Sequence, residues 1–582
     1  MAARGKRGSD FGHVLGSSSG MNVSHSFEAS GQLSLRSFVV IALFVMVAII
    51  FFGRLFFLQV IASDDYSSRA MEARTANIDT TPRRGTIYDR SGVVLATSVE
   101  ASTIYVNPYE VKDVDYTAAQ LSLILGGEMA DYKEKLTEKN ISFVYIERKA
   151  DLELAEKVKK LELDGIYFIS DTKRVYPNGS IGGQVIGFVN IDGEGISGLE
   201  LYYDEILSGT SGTLVVERGA DGTPIPGGVH EETSTVDGQD IIISLDLGMQ
   251  EYLEERLAQG SADLGSEGAN SVIMDAATGE IYAAASLPYF NPADTTTVEE
   301  GATTLKSVTQ PFEPGSIFKT VAITAFMEDG MVGTDDTVFC PAVLVADEYQ
   351  ISDAHERGDQ TMTVREILDQ SSNVGMSLLT EQYGFTEYYE KILNYNLTEA
   401  TGVDYPGESY GYLAERDQWS LVQGYNVSFG QGVSVTPMQM VRFYGAIAND
   451  GIEVIPHFLI KKLNDDDDIV YDSEVVIKNK EAIATVSSML QTVVTSGTGA
   501  KAAIEGYSVA GKTGTAEIYD PSGGYKVGVY NISFVGFLPD SSSQLVCFVG
   551  ATEVPGERTV TPIFSDIMKY AIDRYRIVPT EG

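Results

Sequence analysis

The chain has 582 residues, enough for two or three domains and at least one large core. Its 82 Asp and Glu against 41 Lys and Arg leave a net charge of −41, which argues against a nucleic-acid partner, since displacing phosphate counterions needs a basic footprint. A hydrophobic content of 43% is that of a folded chain, and two cysteines, Cys340 and Cys547, exclude a disulfide scaffold and a four-thiolate zinc site.

Residues 1–36 are rich in Gly and Ser without apolar periodicity and read as a flexible cytoplasmic tail. From Ser37 to Gly53 there is no charge, and after Arg54 the apolar run resumes to Val60. At roughly 1.5 Å per residue, a helix over 37–60 spans about 36 Å, enough to cross a hydrocarbon core of about 30 Å. Arg4, Lys6, Arg7 and Arg36 precede it, so the positive-inside rule places the N-terminus in the cytoplasm and everything beyond residue 60 outside.

The Ser91-Gly92 step inside Arg84-Gly85-Thr86-Ile87-Tyr88-Asp89-Arg90…Ala96 reads as a hairpin turn. Residues 115–165 read as helical, and 180–235 as Gly-rich with short strands. A non-catalytic module is expected over 61–235, ending near Asp237-Gly238-Gln239, with a second domain over 236–582. In that domain a helix begins near Ser244, and the runs Ser271–Asp275 and Glu280–Ala285 flank a Gly-bearing turn. The helical middle carries two capping boxes, opening at Thr363 and Thr436. Strands follow at 507–518, 530–538 and 544–553, and a helix at 562–574 closes the chain. Together these predict an α+β fold with one antiparallel sheet flanked by helices. Cys547, in an apolar strand, favours a thiol separate from Cys340, while the sequence leaves their pairing open.

Three short motifs carry the chemistry. In Glu313-Pro314-Gly315-Ser316-Ile317-Phe318-Lys319, Ser316 opens a helix with Lys319 on the same face. A serine hydroxyl needs a base to become a nucleophile, and a lysine kept neutral by burial or by a nearby cation can serve. Ser371-Ser372-Asn373, 55 positions on, offers a hydroxyl and an amide in a turn between helices; alone it would read as an ordinary polar cap. On a late strand, Lys512-Thr513-Gly514-Thr515 supplies a cation and two hydroxyls suited to a carboxylate, with Gly514 leaving room for a substrate backbone. The five histidines are scattered without ligand or triad spacing, so no metal or cofactor is expected, and His355 reads as a surface or packing residue.

In this order the three motifs resemble the signature of the penicillin-binding proteins and serine β-lactamases. Arg84–Arg90, Arg54-Leu55 to Leu58-Gln59 and Gly195-Ile196-Ser197-Gly198-Leu199-Glu200 are similar to the class B non-catalytic module. Glu313–Ser316 and Gly430-Gln431-Gly432 to Val435-Thr436-Pro437 are similar to its transpeptidase domain. The resemblance covers about residues 36–575 and leans toward the division or sporulation branch. It implies a peptidoglycan D,D-transpeptidase with Ser316 as nucleophile, Lys319 as base and Ser371 as proton relay. Asn373 would bind a substrate amide, and Lys512, Thr513 and Thr515 the terminal carboxylate. The N–H groups of Ser316 and Thr515 would form the oxyanion hole. It further implies stem peptides as substrate, β-lactams as inhibitors, and a SEDS-type glycosyltransferase with other division or wall-synthesis membrane proteins as partners. The competing readings are a D-alanyl carboxypeptidase or β-lactamase, which share the motifs, and a non-catalytic β-lactam-binding scaffold.

Overall fold

The computed structural model describes residues 35–63, 75–138, 141–217, 230–296, 298–465, 467–519, 525–539 and 541–579. Residues 1–34 of the expected tail lie outside them. The chain forms two units, Met1–Ile78 with Val215–Glu231, and Asp79–Leu214 with Glu232–Gly582.

In the first unit, Leu35–Phe56 is α-helical and continues as a π-helical turn, Phe57–Ile61. Phe38–Ile61 is long and apolar enough to cross a membrane, and none of it is buried in protein.

In the second unit, the Asp89 carboxylate folds the predicted hairpin turn by accepting from the amides of Ser91 and Val93, both at 2.8 Å. Gly92 supplies the positive φ, +90°, that the turn requires. The strand that follows, Val94–Val106, pairs antiparallel with Val144–Asp151 and Ile166–Val175. Three helices, Val114–Leu125, Met129–Thr137 and Leu152–Lys159, bury Ile104, Val106, Leu121, Leu136, Ile146 and Val158 between themselves and this sheet. Residues 115–165 are therefore not helical throughout. The strand Val144–Asp151 buries only Ile146 and Ala150 among charges, too sparse an alternation to stand out. The Gly-rich stretch after 180 likewise holds three short helices, Gly183–Ile186, Gly198–Tyr202 and Asp204–Ser208, before its first strand at Gly212–Glu217.

A buried ion network joins the two motifs that flank this module. Arg84 bonds Glu200 and Asp204, each at 2.6 Å, and Arg174 takes the other Glu200 oxygen at 2.6 Å. Gly85 is required because a Cβ there would stand 1.9 Å from the Gln239 carbonyl. The strand Ile241–Ile243 pairs in parallel with Ile87–Tyr88 and antiparallel with Leu459–Lys462. One sheet thus takes strands from either side of residue 235.

The site rests on a five-stranded antiparallel sheet. Its order is Ile281–Ser286, Gly268–Asp275, Leu545–Pro555, Tyr525–Phe537 and Ala510–Tyr519. Alternation assigns the faces. Ile273, Phe534 and Cys547 pack under helices Leu247–Leu264 and Thr561–Tyr575, while Val272, Val535 and Phe548 pack under Lys319–Glu328 and Pro437–Ala448. Both predicted capping boxes are formed, at Thr363 with Glu366 and at Thr436 with Gln439. Cys340 and Cys547 are separate buried thiols.

Candidate active site

Ser316 lies in a 3₁₀ turn, Gly315–Phe318, that runs directly into the helix Lys319–Glu328. In a 3₁₀ turn residues three apart eclipse, so Lys319 follows Ser316 on one side of the helix start. The turn is clamped from three directions. The amide of Gly315 donates to Gly430 O at 3.0 Å, Phe312 and Val435 exchange backbone bonds, and Glu313 accepts from the amide of Gly432 at 2.9 Å. Tyr444 donates to Ile317 O at 2.9 Å and bonds Thr320 at 2.6 Å. The Gly430–Pro437 segment thus fixes the serine. The Ser316 hydroxyl is half-buried and has no hydrogen-bond partner among the described residues.

Lys319 is fully buried. Its Nζ donates to Ser371 O at 2.6 Å, Ser371 Oγ at 3.1 Å and Asn373 Oδ1 at 2.7 Å. Burial first, and then the neighbouring Lys512 charge, hold its ammonium well below the ordinary lysine range, with Asp353 opposing. Lys512, also fully buried, donates to Ser371 Oγ at 3.0 Å and Thr513 O at 3.2 Å. Burial brings it down to about 7 against the pull of Asp369.

Ser371 sits between helices Val364–Asp369 and Asn373–Tyr383 with φ of +57°, a left-handed conformation uncommon for a residue bearing Cβ. Asp353 secures the turn: it accepts from Ser372 Oγ at 2.8 Å and the amide of Val374 at 3.0 Å, and pairs with Arg357 at 2.6 Å. Asn373 completes it by donating to Ser352 O at 3.1 Å.

The strand Ala510–Tyr519 is the sheet's edge, so one side of its backbone is free to meet an extended peptide. Thr513 O accepts from Lys512 Nζ, and Thr515 O lies 2.5 Å from where a Gly315 Cβ would stand. The backbone groups of both threonines therefore face the serine turn and not the neighbouring strand. Thr513 Oγ1 meets Thr498 Oγ1 at 2.7 Å.

The structure thus brings Ser316, Lys319, Ser371, Asn373, Lys512, Thr513 and Thr515 together. Gly514 has a packing role that the sequence reading did not include. A Cβ there would stand 2.3 Å from Ser533 Oγ, 2.9 Å from Pro314 O and 3.0 Å from Ile317 Cγ2, so its bareness admits the serine turn against the sheet. Sequence reasoning missed Asp353, Asp369 and Thr498, whose signals were a lone Asp before His355, a helix-end Asp and the Ser496–Gly499 turn. His355 is exposed, and the described residues hold no cluster of metal-ligating side chains.

Comparison with known proteins agrees with this geometry. The sequence model of the penicillin binding protein transpeptidase domain matches residues 270–569, and that of the penicillin-binding protein dimerisation domain matches 79–243. Stage V sporulation protein D of Bacillus subtilis is 31% identical over 92% of this chain and 85% of its own length. Penicillin-binding protein PbpB of Mycobacterium tuberculosis is 30% identical over 90% and 82%. Among solved structures, penicillin binding protein 3 of Mycobacterium tuberculosis complexed with aztreonam matches at a TM-score of 0.68 and 27% identity, over 87% of this chain and 98% of that one.

Proposed function

This chain belongs to the penicillin-binding proteins that join a dimerisation domain to a transpeptidase domain, and from that membership we propose that it cross-links peptidoglycan as a serine D,D-transpeptidase of septal or spore wall synthesis. The observation that carries the reading is the convergence of two buried lysines on Ser371 beside a clamped, unpartnered Ser316.

Ser316 attacks the carbonyl between the two terminal D-alanines of a stem peptide, and neutral Lys319 takes its proton. The backbone amides of Ser316 and Thr515 receive the developing oxyanion. Ser371, touching both lysines, relays the proton to the departing D-alanine amine. Asn373 holds a substrate amide, and Lys512, Thr513 and Thr515 hold the terminal carboxylate, with Thr498 orienting the Thr513 hydroxyl. An amine from a second stem then resolves the ester. Gly514 leaves room for the substrate backbone, and its bareness also admits the serine turn against the strand. The apolar helix anchors the enzyme with its N-terminus in the cytoplasm and its catalytic domain outside. A SEDS-type glycosyltransferase supplies the glycan, together with other wall-synthesis membrane proteins.

A β-lactam carries a strained amide and a carboxylate that imitate the D-alanyl-D-alanine end, and its tethered leaving nitrogen blocks the acceptor. Penicillin treatment followed by mass spectrometry of a tryptic digest should show a lasting adduct on the Ser316 peptide, absent in Ser316→Ala. An adduct on another serine would overturn the site, and rapid penicillin turnover would favour the hydrolase reading.

A further inference from the structure

The short helix Gly183–Ile186 of the dimerisation domain is buried along its whole length. One side chain on it stitches the seam to the catalytic domain. Gln184 Nε2 donates to Pro288 O at 3.1 Å and to Ala302 O at 2.9 Å, while its Oε1 accepts from the Ser286 amide at 2.8 Å. Tyr405 donates to Gln184 O at 2.8 Å and accepts from the Leu305 amide at 3.2 Å, just ahead of the segment that leads to Ser316. Both amide hydrogens and the oxygen of Gln184 are thus in use.

The same seam holds a carboxylate that is far less well served. Glu254 lies on the helix Leu247–Leu264, which covers one face of the catalytic sheet, and is 7% exposed. Its Oε1 accepts from the Gly182 amide across the seam and from Gln250 Nε2, both at 2.8 Å. Oε2 has no hydrogen-bond partner among the described residues, and no Lys or Arg among them bonds either oxygen. A carboxylate buried against neutral donors alone is costly to ionise.

The surroundings do not offset that cost. From Ser180 to Val189 the facing segment carries no charged side chain, and neither does the strand Ile281–Ser286, which bonds Gln250. Two titratable groups act beside Glu254. Glu251, three residues back on the same helix, adds a like charge, and Tyr289 donates its hydroxyl to Glu254 O at 2.9 Å. Burial first, and then Glu251, push the Glu254 carboxyl up to about 7 against its two hydrogen bonds.

We propose that Glu254 is a proton-operated latch between the two domains. Protonated at Oε2, it keeps both Oε1 bonds and lies in the seam without charge, so the Gly182–Ile186 segment stays closed on the catalytic domain. Ionised, it leaves a charge in a dry seam, and the segment opens more often. The carboxyl titrates near 7 in the closed seam and near 4.5 once released to water. Its preference for the closed form is therefore complete below about 4.5 and is lost as pH rises to about 7. Opening should grow on the order of 10²-fold between about pH 5 and pH 8 through this group.

Hydrogen exchange of the full chain in detergent micelles, read by mass spectrometry, tests the latch. Peptides over 180–188 report the seam, and the central strand Leu545–Pro555 serves as internal reference. After correction for intrinsic exchange, protection of 180–188 should fall on the order of 10²-fold relative to the reference across that range. In Glu254→Gln, which keeps an acceptor for Gly182 and cannot titrate, the fall should be absent. Glu251→Lys, an exposed substitution, replaces the like charge by an opposite one, so the fall should level off at lower pH. No fall in the wild type, an equal fall in Glu254→Gln, or an unmoved plateau in Glu251→Lys would each overturn the proposal.

Discussion

Lys319 and Lys512 meet on one hydroxyl: their Nζ atoms stand 3.1 and 3.0 Å from Ser371 Oγ. One oxygen can accept from both, but two fully buried ammonium ions on it repel each other, and among the described residues no carboxylate is bonded directly to either. The repulsion falls on Lys319, which is lowered by burial and then by Lys512, whereas Lys512 is partly restored by Asp369. The arrangement lowers Lys319 further than Lys512, as the proposed roles of base and carboxylate anchor need.

The first prediction is a pH profile. If acylation by a fluorescent penicillin uses Lys319 neutral and Lys512 charged, as proposed, its second-order rate should climb as Lys319 loses its proton and decline as pH passes about 7, where Lys512 loses its own. Lys512→Ala removes the like charge that lowers Lys319. Lys319 then holds its proton to higher pH, and the rising limb shifts alkaline. The maximal rate should also fall, by about 10- to 150-fold, for a lost charge-assisted contact of about 1.5–3 kcal/mol. A rising limb that stays in place would dissociate the two lysines.

Lys319→Ala should slow acylation by about 10²- to 10⁴-fold, the usual worth of a positioned proton acceptor. The thermal midpoint should not fall in proportion, since the substitution relieves the burial of an amine as well as removing three hydrogen bonds. A rate within tenfold of wild type would move the base elsewhere.

What the sequence disclosed was local. The Gly-bearing turn between Ser271–Asp275 and Glu280–Ala285, the Thr363 and Thr436 boxes, and the Ser316–Lys319 spacing depend on neighbours a few residues away, and the structure contains each of them. What escaped depends on distant partners. Asp353 meets Ser372 across 19 residues, and Thr498 meets Thr513 across 15. The packing role of Gly514 escaped because the atoms that exclude its Cβ belong to Pro314, Ile317 and Ser533, none near it in sequence. The strand Val144–Asp151 was hidden by its charged outer face, an edge property that propensity alone does not separate from helix.

Asp353→Ala should loosen the Ser371 turn. It strands the partly buried Arg357 and removes the acceptor for Ser372 Oγ and the Val374 amide, a loss of about 1–3 kcal/mol. Because Ser371 is held in the left-handed region, the freed turn should relax and carry the relay hydroxyl off the lysines. Differential scanning fluorimetry and acylation kinetics should fall together. A stable but slow variant would show that Asp353 acts on Lys319 through charge alone.

Protease added to the outside of spheroplasts should digest the chain beyond about residue 65, as the positive charges before the apolar helix require. Protection of the bulk of the chain would reverse the orientation and remove access to peptidoglycan.

The last prediction separates packing from substrate contact at Gly514. If the glycine served only a substrate backbone, Gly514→Ala would weaken binding of penicillin but leave Ser316 where it is, and nothing behind the strand would alter the effect. The crowding says otherwise: the new methyl meets Ser533 Oγ first, then Pro314 O and Ile317 Cγ2, so the serine turn must retreat from the strand. Overpacking of this kind costs about 1–3 kcal/mol. A displaced nucleophile also loses alignment with the Thr515 amide, for which a shift of about 1 Å can cost about 10²-fold in rate. Ser533→Gly deletes the nearest obstacle while leaving the other two, so the double variant Gly514→Ala with Ser533→Gly should recover part of the stability and part of the acylation rate, a coupling that two residues in contact should display. Strict additivity in both measurements would return Gly514 to the substrate side of the strand.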